Sequence, residues 1–306
     1  MTTTVRMRIG ALAAAALGAA VAAAVPAAQQ QAAQPRPFTG GTFEASGVAH
    51  VPKTNGVLFV DDNRTREIFW MELGPDGAQR APAAAVPLPL EIEDPEGIAG
   101  DGTFFYVVGS QSKGHGPDGA GLARFTFDPK SRGIDRVETI TRLKAWLVDQ
   151  VPELEGIDPA RANDDFNIEG LAWDAAGARL LLGFRTPVVD GQALIVPITL
   201  RDASGAFAVE NLQAEQALRV PLGGVGIRGL DHDPRTKSIL IVAEPSSGTG
   251  RSRGFSLVEW TPGAADARMV TTFDPAMQPE GVTRLAGAQV SGTVVVFDNS
   301  RHTLIR

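Results

Sequence analysis

The chain of 306 residues contains no cysteine. That excludes a disulfide framework, a thiolate metal site, a cysteine nucleophile and a lipid anchor on cysteine. It has four histidines, and a two-histidine metal site would need a third ligand that their spacing does not supply. No basic block occurs, and the formal net charge is −7, which argues against a nucleic-acid partner. No Gly-x-Ser-x-Gly elbow is present. Gly223-Gly224-Val225-Gly226 lacks the Lys-Ser/Thr that a phosphate loop requires. Long apolar runs are missing beyond the first thirty residues. There, Arg6 and Arg8 precede an Ala-rich apolar stretch from Ile9 to Ala24, followed by Val25-Pro26-Ala27-Ala28. A short basic start, an apolar run too short for a comfortable span and a small-residue end read as a signal peptide over residues 1–28. A periplasmic or secreted location follows, with no stable membrane span after processing. Residues 29–37, rich in Gln, Ala and Pro, read as a disordered leader.

What is present is a repeat. A Gly-centred unit recurs as Ser46-Gly47-Val48-Ala49, Glu96-Gly97-Ile98-Ala99, Glu169-Gly170-Leu171-Ala172, Arg228-Gly229-Leu230-Asp231 and Glu280-Gly281-Val282-Thr283. About ten residues after each unit comes an apolar run such as Val57-Leu58-Phe59-Val60 or Ile239-Leu240-Ile241-Val242. Uninterrupted runs of β-branched and aliphatic residues suit strands buried on both faces. Thr54-Asn55-Gly56, Gly100-Asp101-Gly102 and Pro234-Arg235-Thr236 supply the turns between the two runs. A third, alternating stretch and a weaker fourth complete units of about 50 residues, the period of a propeller blade.

The expected fold is therefore all-β: a β-propeller of five blades, each of four antiparallel strands, filling residues 38–306, with six blades as the alternative. The last unit ends after three strands, and Phe38 to Ala45 is expected to supply its fourth, closing the ring and removing an exposed edge. The long interval between the second and third glycines carries Ile140, Leu143, Trp146, Leu147 and Val151 at helical spacing. Residues 141–166 are read as a helical insertion that can cover the nearby rim.

In such a ring, the entry to the innermost strand and the exit from the second strand lie at one rim. The entries are Ser46, Glu96, Glu169, Arg228 and Glu280; the exits are Asp62, Ser110, Arg185, Glu244 and Asp298. All ten are polar. Convergent carboxylates bind a hard cation through oxygen, raise one another's pKa to create an acid or base, or pair with arginine as a plain ion network. Glu96, Glu169, Glu280, Asp298 and Asp62 are the candidate metal ligands, and calcium is the cofactor they would suit. Ser110, Glu244 and His115, the last in a Gly-rich loop, are candidate ligand contacts. Glu169, Arg185 and Arg228 are candidates for catalysis, with the carboxylate as base and the arginines facing developing negative charge. His50 and His232 occupy equivalent places, three residues after their glycines, and are expected to pack between blades.

The block Asn167-Ile168-Glu169-Gly170-Leu171-Ala172-Trp173, with Leu180 to Pro187 and Gly191 to Leu194, resembles an uncharacterised bacterial family, a domain of unknown function. The repeated Glu-Gly-aliphatic unit is similar to phytase-like propellers and, more distantly, to gluconolactonase and senescence-marker propellers. The resemblance implies a propeller. Through the lactonase relatives it also implies a divalent cation at the channel mouth, with a first-strand Glu among the ligands, here Glu96, Glu169 or Glu280. The sequence departs from that pattern at Ser46 and Arg228. Three functions stay open. One is a secreted propeller binding a divalent cation or small polar ligand at its acidic rim. The second is a metal-assisted hydrolase of a phosphoester, ester or lactone. The third is a scaffold for an unknown protein partner.

Overall fold

Five sheets, each four strands deep and arranged as a ring, would leave each apolar second strand covered on both faces, and that is the architecture observed. The computed structural model describes residues 1–2, 34–112, 120–162, 165–245 and 254–306. Blade 1 runs Ala45–His50, Gly56–Asp61, Glu67–Glu72, Ala84–Pro87 from the inside outward. Blade 2 is Pro95–Gly100, Phe105–Gly109, Ala120–Asp128, Gly133–Thr141. Blade 3 is Asn167–Asp174, Arg179–Val189 and Gln192–Leu200, with its outer place shared by Leu212–Ala214 and Leu218–Val220. Blade 4 is Ile227–Asp233, Ser238–Ala243, Ser256–Trp260, Arg268–Thr272. Blade 5 is Pro279–Ala286, Ser291–Phe297 and Arg301–Ile305, closed by Arg36–Pro37. All strand pairs are antiparallel.

The core is five apolar clusters, one at each seam between neighbouring blades. Leu58, Val60, Ile98 and Val107, for example, join blades 1 and 2. Gly56–Asp61 and Ser238–Ala243 are buried at every position, as their unbroken apolar runs imply. Each fully buried aliphatic or Phe side chain contributes about 1.5–3 kcal/mol, so no single blade holds the ring on its own.

The repeat glycines mark where inner strands touch. A methyl group on Gly47 would stand 2.5 Å from the Glu96 carbonyl oxygen, and one on Gly281 would stand 2.8 Å from that of Ser46. Neighbouring backbones pass too closely there for any side chain.

The ring closes through the N-terminal side of the first blade, but with different residues from those expected. Arg36 and Pro37 pair with His302 and Arg301, and the Phe38 amide donates to Ser300 O at 3.0 Å. Phe38 and Phe43 turn inward instead and pack on Phe59, with ring centroids 4.9 and 5.2 Å away. Burying two phenyl rings at the seam outweighs extending the edge strand past Pro37. Residues 36 and 37 thus belong to the propeller and not to a leader.

The insertion contains one helix, Leu143–Gln150, and a short 3-10 turn, Pro152–Leu154. Leu143, Leu147 and Leu154 pack with Leu122 and Ile140 of blade 2 and with Phe166, Ile168 and Phe184 around blade 3. The helix seals the seam between those blades, where the sequence reading had it covering the rim. No helix among the described residues is long and apolar enough to cross a membrane. The signal-peptide reading falls on residues 3–33, outside the described residues.

Candidate functional site

Every inner strand carries the same irregularity. Between Ala45 and Val48, Pro95 and Gly97, Ile168 and Gly170, Ile227 and Gly229, and Pro279 and Val282, the inner strand holds one residue more than its partner. The extra residue falls at the polar entry position: Ser46, Glu96, Glu169, Arg228 or Glu280. A β-bulge redirects a side chain out of the alternating pattern, which is how polar groups stand beside strands that are otherwise apolar. The second strands end next to these bulges and bring up Asp62, Ser110, Arg185, Glu244 and Asp298. The ten candidates therefore surround one mouth, here the upper mouth.

On the side of blades 3, 4 and 5 the carboxylates are bridged by arginine. Arg185 Nη1 donates to Glu169 Oε1 at 2.9 Å, and its Nε stands 2.7 Å from Glu244 Oε1. Arg228 Nε lies 3.2 Å from Glu169 Oε2, and Arg228 grips both oxygens of Glu280. Its Nη1 is 3.9 Å from Glu244 Oε1. The guanidinium lies over the Phe255 ring, 5.7 Å from the centroid, and Asn167 Nδ2 adds a 3.0 Å bond to Glu169 Oε1. Burial pushes the Glu169 and Glu280 carboxyls up, while Arg228 on both, and Arg185 on Glu169, pull against it. The same carboxylates hold both guanidiniums in their charged form.

The side of blades 1 and 2 is different. Burial pushes Glu96 well above the usual carboxylate range, and its charged neighbours, Glu169, Asp94, Glu280 and Asp62, push the same way. Asp62 is raised to about 7 by burial and by Glu44, Asp61, Asp298 and Asp94. Asp298 is raised by burial and Glu44, with Arg228 opposing. Asn63 Nδ2 donates to Glu44 Oε2 at 2.7 Å and to Asp62 Oδ1 at 2.8 Å. Asp61 is committed to the Glu44 and Asn63 amides at 3.1 and 3.0 Å.

Ser110 is fully buried and its hydroxyl donates to Asp94 Oδ2 at 2.5 Å, so it supports the rim and does not face a ligand directly. Ser46 Oγ turns back to Glu44 O at 3.4 Å. His115 lies outside the described residues. Among the described residues no group of three or more His, Asp or Glu that could hold a metal ion is assembled; Glu169 and Glu280 are occupied by arginine, apart from Asp62 and Asp298.

Glu44, Asp94 and Asn167 were not among the sequence candidates. Each stands two residues before its bulge, at Ser46, Glu96 and Glu169 respectively. That fixed offset is a signal the sequence does contain.

The open cavity is at the other end of the channel. About 460 Å³ is enclosed by the far halves of the inner strands and their turns, with Val48, Ile98, Leu171 and Leu230 at its apolar end. His50 and His232 line this lower cavity, so they are channel residues and not simply packing between blades.

These features define a five-bladed β-propeller with a charged upper mouth and a hollow lower one. Residues 153–299 match the model of a protein family of unknown function (DUF3616). No curated protein matches the chain. Among solved structures, the chain is similar to a Trichoderma reesei protein of carbohydrate-active enzyme family AA12, at 11% identity and TM-score 0.50, over 90% of this chain and 97% of that one. It is equally similar to the pyranose dehydrogenase PQQ domain from Coprinopsis cinerea, at 12% identity and TM-score 0.50, over 90% and 97%. A gluconolactonase from Xanthomonas campestris aligns at 10% identity and TM-score 0.44, over 90% and 91%. Identities this low bear on the fold alone.

Proposed function

We propose that this protein is a secreted or periplasmic binding propeller that takes a divalent cation, calcium first, at the carboxylate-rich side of its upper mouth. The observation carrying the reading is Glu96. It is half-buried, its strongest charged neighbours are all acidic, and among the described residues no arginine pairs with it, while Arg185 and Arg228 are already engaged on the opposite side. The donors that line this side, Asp62, Glu96 and Asp298, are all oxygen, which suits a hard cation. Because these groups stand apart, the fit is to an ion that keeps part of its water shell. Such an ion would also relieve the mutual repulsion of the carboxylates.

The hydrolase reading has less support. It needs an arginine available for developing negative charge, and both candidates are neutralised by Glu169, Glu244 and Glu280. The scaffold reading needs a mouth closed by ion pairs all round, and among the described residues Asp62 and Glu96 have no ion pair.

Calorimetric titration of chelator-treated protein with calcium and with magnesium tests the proposal. Asp62, raised to about 7, is partly protonated at neutral pH, and Glu96 is shifted in the same direction, so binding should release protons, read as a dependence of the heat on buffer ionisation enthalpy. Saturating ion should raise Tm by mass action, and the Asp62→Asn/Glu96→Gln double variant should abolish both effects. Absence of heat and of any Tm change with either ion would sink the reading.

A further inference from the structure

The lower cavity breaks the fivefold pattern where the fold does not require it. Two residues after the repeat glycine, blades 1 to 3 carry Ala49, Ala99 and Ala172, whereas blade 4 carries Asp231 and blade 5 Thr283. Three alanines show that a small apolar residue satisfies the packing there. A carboxylate at the same depth loses hydration, so it calls for a reason.

Blade cohesion is not a sufficient one. Asp231 Oδ2 accepts from the Arg284 amide at 2.9 Å and from its Nη1 at 3.4 Å. Yet Arg284 also donates to Glu259 Oε1 at 3.2 Å and stands 3.4 Å from Asp233 Oδ2, so its charge is met without Asp231. Both hydrogen bonds to Asp231 fall on Oδ2, which leaves Oδ1 for the cavity it lines.

Two histidines point to the same chemistry. His50 Nε2 lies 3.1 Å from Thr54 O. A carbonyl accepts only, so Nε2 carries the proton and Nδ1 is an acceptor. The His232 side chain is 5% exposed, its Nε2 stands 3.8 Å from Asp174 Oδ1, and its Nδ1 is buried with no hydrogen-bond partner among the described residues. Burial keeps both rings neutral by lowering their pKa values. The wall carries the carboxylates of Asp101, Asp231 and Asp233 against the guanidiniums of Arg235 and Arg284, so its net charge is negative, above an aliphatic end formed by Val48, Ile98, Leu171 and Leu230. Trp173, stacked on Tyr106 with ring centroids 5.9 Å apart, adds an aromatic edge.

We infer that the lower mouth is a second binding site, for a small primary amine on an apolar body, with its ammonium toward Asp231 and its hydrocarbon against the aliphatic end of the channel. An ammonium supplies three N–H donors and no acceptor, which complements a carboxylate and neutral imidazoles. A polyol would leave the aliphatic end uncovered. About 460 Å³ is within the range of small-molecule pockets.

Calorimetry with benzylamine and hexylamine, against benzyl alcohol and hexanol, tests the site. Both amines should bind, each about tenfold or more tightly than its alcohol, since a hydrogen bond to a charged group contributes more than a neutral one. Asp231→Asn should weaken the amines by about tenfold or more and leave the alcohols nearly as before. Asp231→Ala installs the residue that blades 1 to 3 already carry, so it should fold, keep the circular-dichroism spectrum and show the same loss. Failure of both amines to bind, alcohols binding as well as amines, or amine binding unchanged in both folded Asp231 variants would each overturn the assignment.

Discussion

The two sides of the upper mouth are built from the same bulge yet solve opposite problems. On the side of blades 3 to 5, arginine at the bulge of blade 4 stands between Glu169 and Glu280, and Arg185 ties Glu169 to Glu244. On the side of blades 1 and 2, the equivalent bulges carry Ser46 and Glu96, and Asp62 and Asp298 face them without a guanidinium between among the described residues. Each charge is compensated by its neighbours on one side. On the other, the strain of like charges is met by raising pKa values. The difference teaches that the fold fixes where the bulge side chains stand, while the choice of residue at each bulge decides whether the mouth is locked or receptive.

Substitutions should therefore change stability with opposite sign on the two sides. The largest effect is expected at Arg228. Arg228→Met would keep the stem but leave Glu280 buried without a partner and Glu169 with one arginine in place of two. Removing one partner of a buried ion pair costs about 3–5 kcal/mol, read as a drop in denaturant midpoint at constant slope. A loss below about 1 kcal/mol would mean that the carboxylates simply take up protons and that the network locks nothing.

On the acidic side, Asp62→Asn should stabilise. The folded pKa of Asp62, about 7, lies above the unfolded value near 3.8. Between those limits the folded state binds more protons, so stability falls as pH rises and then levels off. The amide removes that slope. At pH 8 the variant should gain about 1–2 kcal/mol, less than the full shift because solvent screens part of it; at pH 3.5 the gain should vanish. Glu96→Gln should behave in the same direction, its slope extending from the ordinary carboxylate range upward. A loss of stability at pH 8 in both variants would break the comparison. If calcium is added, the stabilising sign should invert for wild type against variant, because the ion uses the charges that repel in its absence.

The blades were legible in the sequence because the glycines are forced by backbone approach. Gly47 and Gly281 leave no space for a side chain, so they punctuate the chain regardless of what surrounds them. Five units were favoured over six because the long interval reads as helix, and Leu143 and Leu147 are indeed buried. The closing strand was misplaced since Phe38 and Phe43 look like strand residues locally, yet they are worth more in the core of the first seam. At the site, the ten rim positions could be read from strand order alone. Which carboxylate meets which arginine could not: Arg228 and Glu280 are 52 residues apart, and their contact depends on how closely neighbouring bulges approach. Asp94 and Glu44 were passed over for a different reason. They stand two residues before the first residue of the repeat unit, outside the window that defines the repeat. Asp231 was inside that window and was read only as a variant of a small residue.

The finest test lies within the arginine-bridged side. Arg185 and Arg228 both contact Glu169, but Arg185 is 38% exposed in its side chain and Arg228 16%. Water can therefore replace much of what Arg185 supplies to Glu244, and Glu169 keeps Arg228 when Arg185 is removed. Arg185→Gln should cost about 1 kcal/mol or less, and high salt should shrink that difference further. The Arg228→Met penalty should change little with salt, because its partners are buried. A shared salt dependence, or equal penalties for the two substitutions, would show that the two arginines act as one exposed cluster. The lock would then be a property of net charge and not of Arg228 at its bulge.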